Sequence, residues 1–289
     1  MSSQIIKELG NKLFISPDLC NWLQTYSALT WTKIGFARNS NLKISETTIT
    51  QDLVFNFWLM AQTSLTPIEI YESKDEKTNG NDLEIIIQTN RGFVLMPCQA
   101  KIIQKENRYS TISHKAGGIH EQIDLLMNYG KKVGGLSVYL LYNFCDTSWV
   151  TEEIERKSGN SITNYGCTLA QAKYIKQNHW NKKYRMGKYV WSIPNFYDLH
   201  KQHAIPFQNI ICFRNHLNWF TSLDDQSNEL NFYNREEIDN DSNWQDLSTP
   251  RIGYIPGQRK DFREINDGIN SEGFNPQFRI VFSSERRRN

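Results

Sequence analysis

The sequence predicts an α/β fold: a central mixed sheet flanked by helices, with the order helix, strand, strand, strand, helix, strand at its centre. Three stretches carry that prediction. Residues 45–63 place Ile49, Leu53, Phe57 and Met60 on one helical stripe. Residues 81–101 contain two apolar runs split by a polar break at 88–92, the pattern of a hairpin with buried strands. Residues 116–131 carry a second helical stripe, Ile119, Ile123, Leu126 and Met127, and lead into the apolar strand LSVYLLY at 136–142. A helix of that length serves as the crossover that a parallel strand pair requires.

The other elements follow from shorter patterns. Ile5, Ile6, Leu9 and Leu13 recur at helical spacing, and Ser16, Pro17 and Asp18 open a second helix through Trp22, Leu23 and Tyr26. Ser45 is the expected N-cap of the 45–63 helix. Residues 67–74 alternate Ile68 and Ile70 against Glu69 and Tyr71, a strand, and Asn79, Gly80 and Asn81 are a turn signal. Beyond residue 145 the patterns are shorter. Residues 163–177 read as a helix, 207–213 as a strand added to the sheet, 224–249 as a polar loop and 279–282 as a short strand. The chain divides into an N-terminal helical segment (1–41), a core (42–145) and a mixed C-terminal extension (146–289).

Composition excludes several classes. The chain has 289 residues, 12% of them aromatic, and a formal charge of +2. That balance is ordinary for a soluble globular protein and leaves room for a local basic groove. The five cysteines are odd in number, widely spaced and without a CxxC pair, so neither a zinc knuckle nor a disulfide framework is indicated. No apolar run is long enough to span a bilayer, and residues 1–10 lack the apolar region of a signal peptide. A reducing cytoplasm is the expected compartment. There is no Walker loop, GxGxxG or GxSxG motif.

The chemistry concentrates in the hairpin. Residues two apart on a strand share a face, so Asp82 and Glu84 lie together on the first strand, and Gln99 and Lys101 on the second. Charges in greasy strands are costly unless they pair or bind a metal. Two outcomes are open. Asp82 caps the turn after Gly80 and Glu84 pairs with Lys101 across the strands, or the four residues form a site.

The pattern of Asp82 on one strand and Gln99-Ala100-Lys101 on the next resembles the PD-(D/E)xK nuclease superfamily, the restriction-endonuclease-like fold, in its QxK variant. The blocks GNDLEI, CQAK, HEQIDLL and YLLYN, within residues 42–145, resemble an uncharacterised bacterial family of that superfamily. The resemblance implies an αβββαβ core and a metal-dependent nuclease with Mg²⁺, or Mn²⁺, as its ion. It implies Asp82, Gln99 and the backbone carbonyl of Ala100 as ligands, and Lys101 as the group that orients or deprotonates water or holds the phosphate. Glu46, three residues before Ile49, matches an acidic residue that the first core helix brings to the site; it is also explained as a first-turn carboxylate favoured by the helix dipole. Glu46 and Glu84 are then further ligands or partners of Lys101, and Gln122 matches a helix glutamine that holds phosphate or the lysine. Gln99 stands where a Glu is commoner, which removes one negative charge.

The implied partner is nucleic acid, DNA above RNA, and the fold-level analogy extends to defence against foreign DNA. A rival from another class is a catalytically silent nuclease-like fold that binds nucleic acid or a protein. A third reading is an effector awaiting a protein or small-molecule activator. Weaker constellations are the His200 and His203 pair, His114 and His120, the basic and aromatic residues of 173–189, and Arg286 to Arg288 at the end of the chain.

Overall fold

In the computed structural model, strands β2 (Asp82–Thr89) and β3 (Gly92–Ile102) form an antiparallel hairpin whose turn is Asn90 and Arg91. Gly92 closes it at φ 129°, a conformation that favours glycine. The structure describes residues 19–62, 68–73, 82–116, 120–179, 183–185, 188–190, 192–213, 230–247, 274 and 276–283; for 82, 116, 120, 183–185 and 188–190 it describes the backbone alone. The predicted helix before residue 18, the 79–81 turn and the arginine tail lie outside the described residues, as does part of the 173–189 patch.

The other helices are α1 (Leu19–Asn39), α2 (Glu46–Gln62), α3 (Gln122–Lys132), α4 (Ser148–Ser158), α5 (Ala172–His179), α6 (Phe196–His200), α7 (Phe207–Cys212) and α8 (Arg235–Asp239). The other strands of the main sheet are β1 (Ile68–Ser73), β4 (Val138–Tyr142), β5 (Cys167–Gln171), β6 (Ala204–Pro206), β7 (Trp244–Asp246) and β8 (Phe278–Phe282). Eight strands run in the order β6-β5-β4-β3-β2-β8-β1-β7. The predicted α/β architecture is therefore present, with a mixed sheet and the chain order α2, β1, β2, β3, α3, β4. β3 and β4 are parallel, and α3 lies in the crossover between them. The C-terminal strand β8 sits between β1 and β2, parallel to β2 and antiparallel to β1.

The hairpin divides its residues between two layers. Leu83, Ile85, Cys98 and Ala100 join the α2 stripe of Ile49, Leu53 and Phe57 in the main core. Ile86 and Leu95, on the opposite face, pack with Tyr71, Val281 and Ile238 of α8. α1 braces α2 through Tyr26, whose hydroxyl donates to the Ile49 carbonyl at 2.9 Å. It also crosses the chain at Gly166, where a Cβ would meet the Ser27 carbonyl at 1.9 Å.

Four local expectations are corrected. Residues 207–213 form α7, and the sheet's added edge strand is β6 just before it. Seven residues with five apolar ones fit a buried helix or a strand equally, so periodicity alone does not separate them. The expected helix at 163–177 is a 3-10 turn, then the buried strand β5, then α5. The crossover helix starts at Gln122, because Lys115–Ala116 and His120–Glu121 pair as a small hairpin first. Within the polar 224–249 stretch, the described part contains α8, started by a capping box between Asn234 and Glu237, and β7. A disulfide also joins Cys20 of α1 to Cys212 of α7, with Cα atoms 5.8 Å apart. Its 192-residue separation is why spacing gave no hint of it; Cys98, Cys145 and Cys167 are buried and not disulfide-bonded.

Candidate active site

Two helix N-termini and one strand meet at Lys101. Lys101 lies near the end of β3, beyond the described hairpin ladder, which stops at the pair Asp82 and Gln99. α2 begins at Glu46 because the Ser45 hydroxyl accepts from the Thr48 amide at 3.1 Å, a cap at the third helical position. α3 begins at Gln122, which the small hairpin delivers to the same place. The Lys101 side chain is 3% exposed. Its Nζ donates to Gln122 Oε1 at 2.9 Å and stands 3.8 Å from Glu46 Oε1. The other Glu46 oxygen, Oε2, accepts from the Ile102 amide at 3.4 Å. Tyr142 steadies this corner: its hydroxyl lies 2.9 Å from Thr50 Oγ1, and Thr50 in turn donates to the Glu46 carbonyl.

Gln99 is different. It is 5% exposed, and its Oε1 makes no hydrogen bond among the described residues. A buried carbonyl oxygen without a partner forfeits about 1–3 kcal/mol of desolvation. Across the ladder stands Asp82, whose backbone the structure places opposite Gln99 and whose side chain it does not describe. Beyond Gln99, the β2-side edge of Ala100 and Lys101 has no hairpin partner among the described residues. A buried carboxamide oxygen, a backbone carbonyl at an open edge and an aspartate opposite fit a hard divalent cation that takes oxygen ligands. Among the described residues, no group of three or more His, Cys, Asp or Glu is positioned to hold a metal.

Glu84 is engaged elsewhere. It does not pair with Lys101. It is fully buried, and its Oε2 accepts from Arg279 Nε of the neighbouring β8 at 2.8 Å. Its Oε1 accepts from the Tyr129 hydroxyl of α3. Burial and the Glu84 charge hold the Tyr129 phenol far above its usual range, so it stays protonated and donates. Arg279 also binds Asp241 at 2.9 Å and covers the Trp244 ring at 4.3 Å.

The family model described as a family of unknown function, DUF6615, matches residues 19–283. The chain belongs to that family. No curated protein and no solved structure matches it. The match runs from α1 to the last described residue, so it includes the corner around Lys101 and the C-terminal strand that holds Glu84.

The histidine candidates separate from this corner. His200 is buried beneath the end of β4. Its Nδ1 donates to the Phe196 carbonyl at 2.7 Å, which leaves Nε2 to accept from Thr168 at 2.9 Å. Burial pushes its pKa down to about 3. Asn143 ties this network together, accepting from Tyr109 at 2.5 Å and donating to the Tyr165 carbonyl at 2.7 Å. His203 stacks on Tyr174 instead, and His114 is exposed. No described helix is long and apolar enough to cross a membrane.

Sequence reasoning missed Arg279, Tyr129 and Tyr142. The signal for Arg279 was in the string FRIVF: one cation in a buried strand requires a carboxylate, as Glu84 required a cation. Tyr142 belongs to the YN block at the end of β4, where the tyrosine fixes α2 and the asparagine organises the buried network.

Proposed function

We propose that the chain is a metal-dependent nuclease of the PD-(D/E)xK type, in its QxK variant, acting on phosphodiester bonds, with DNA the favoured substrate. The observation that carries this reading is the buried Gln99 oxygen, without a hydrogen-bond partner among the described residues, two residues from the buried Lys101. A structural glutamine in a strand finds a partner; one that holds its oxygen free beside an ammonium is prepared for a ligand. Asp82, Gln99 and the Ala100 carbonyl would hold Mg²⁺ or Mn²⁺, which when bound neutralises phosphate charge and makes water more acidic. The chain's own groups do the rest. Lys101 positions the attacking water or a non-bridging phosphate oxygen. Gln122, accepting from Nζ, keeps the lysine extended along β3, and Glu46 balances its charge. The N-termini of α2 and α3 add positive potential where the phosphate would lie.

The test is cleavage of plasmid, linear duplex, single-stranded DNA and RNA with Mg²⁺, with Mn²⁺ and with EDTA, comparing wild type with Lys101→Ala. Metal-dependent cleavage that the substitution abolishes is the expected result. No cleavage in any lane, with no metal uptake by calorimetry, would move the assignment to a silent fold that only binds.

A further inference from the structure

A cavity of about 470 Å³ opens on the hairpin face that carries Glu84, Ile86 and Leu95. It lies between α3 and the 230–246 segment, and its walls include Tyr129, Tyr233, Trp244, Asp241 and the Glu84–Arg279 pair. That volume is in the range of small-ligand sites. The nuclease reading does not use it. On β2 it begins at Glu84, two residues from Asp82, which is about 7 Å along a strand.

Its chemistry selects the ligand. Three carboxylates, Glu84, Glu237 and Asp241, face two cations, Lys132 and Arg279. The guanidinium is committed on two sides, to Glu84 and to Asp241. A phosphate entering here would meet excess negative charge, with only Lys132 at the rim to offset it. The wall instead offers the rings of Tyr129, Tyr233 and Trp244, and carboxylate oxygens that already accept from Tyr129, Arg279, Asn243 and Asn234 but can each accept a second hydrogen bond, which suits a flat heterocycle bearing amino donors.

We infer that this cavity receives an unstacked, amine-bearing nucleobase of the substrate strand, from a nucleotide next to the scissile phosphate. The inference rests on the nuclease reading and adds a substrate preference to it. The phosphate stays over Gln99 and Lys101, while the base swings away into the cavity. Inserting a base in this way requires it to leave the stack, so single-stranded or frayed substrate is preferred over intact duplex.

The experiment uses the full chain carrying Lys101→Ala, and short single strands with one 5-iodocytosine moved along them. After ultraviolet crosslinking, the adducts are mapped by mass spectrometry. The expected adducts fall on Trp244, Tyr233 or Tyr129, and only from one or two adjacent positions of the strand. The further substitution Asn243→Trp, at an exposed residue of the lining, is designed to fill the cavity; it removes one amide donor to Asp241 Oδ1 and leaves Asp241 Oδ2 for Arg279. It should cut adduct yield by at least about tenfold, the scale of losing one base's stacking, with an unchanged circular dichroism spectrum. Adducts elsewhere, or a yield indifferent to the plug, in a protein whose wild type cleaves, would overturn the base site and leave the nuclease reading standing. A wild type that neither binds nor cleaves any strand overturns both.

Discussion

Two buried polar clusters sit on one face of the same hairpin, and they are built in opposite ways. At Glu84 every charge is answered: both carboxylate oxygens accept, from Arg279 and from Tyr129, and Arg279 is itself shared with Asp241. At Gln99 and Lys101, a residue or two further along the face, the ammonium has a neutral carboxamide at 2.9 Å and a carboxylate only at 3.8 Å. The neighbouring carboxamide oxygen has no hydrogen bond among the described residues. The difference teaches how to tell architecture from a site when both appear as charges in greasy strands. The saturated cluster holds β8 against β2; on the proposed function, the unsaturated one keeps its capacity for a metal.

Substitutions on the two sides should therefore split stability from activity. The largest expected effect is on catalysis: Lys101→Met should lower the cleavage rate by at least about 10²–10³, the usual scale for a group that moves or positions a proton. The same substitution should change the urea-unfolding free energy by no more than about 1 kcal/mol, since it replaces a weakly paired buried charge with an apolar chain. Arg279→Met should do the reverse to stability. It strands Glu84 in the core and should cost about 3–5 kcal/mol in the same measurement. Adding Glu84→Leu to that variant should recover a large part of the loss, because the uncompensated charge is then gone.

The hairpin was legible because a polar break separates two apolar runs, and the α/β order was legible because three long segments had clear periods. The grouping of Lys101 with Gln122 and Glu46 was expected from the family resemblance, and the Lys101 ammonium contacts both side chains, at 2.9 and 3.8 Å. What sequence could not show was long-range. Arg279 lies 195 residues from Glu84, and Cys212 lies 192 from Cys20. A lone cation in FRIVF signals a buried carboxylate but not which one, and Cys20 and Cys212 carry no local signal at all. Short elements such as α7 and β5 were misread because a segment of five or six residues is too short to display its period.

His200 extends the comparison to a third cluster, saturated like that of Glu84. Its folded pKa of about 3 lies below the ordinary 6.5, so the unfolded chain takes up the proton first. The stability it contributes is complete above about pH 6.5 and is lost as pH falls toward 3. Its contribution to the slope approaches about 1.4 kcal/mol per pH unit, and His200→Gln should flatten that part of an acid-unfolding profile. Smallest is Tyr142→Phe, which removes the hydroxyl holding Thr50 at the first turn of α2. It should cost about 1 kcal/mol of stability. It should also lower kcat more than it raises KM, because Glu46 and Lys101 lose their fixed placement.

The most direct test of the contrast is calorimetric titration of Mn²⁺ into the wild type, Gln99→Leu and Glu84→Gln. If Gln99 keeps its oxygen for a metal, the wild type takes up Mn²⁺, Gln99→Leu loses most of that affinity, and folded Glu84→Gln keeps it. Mn²⁺ binding that Gln99→Leu leaves untouched, or no binding by the wild type at all, would contradict the account.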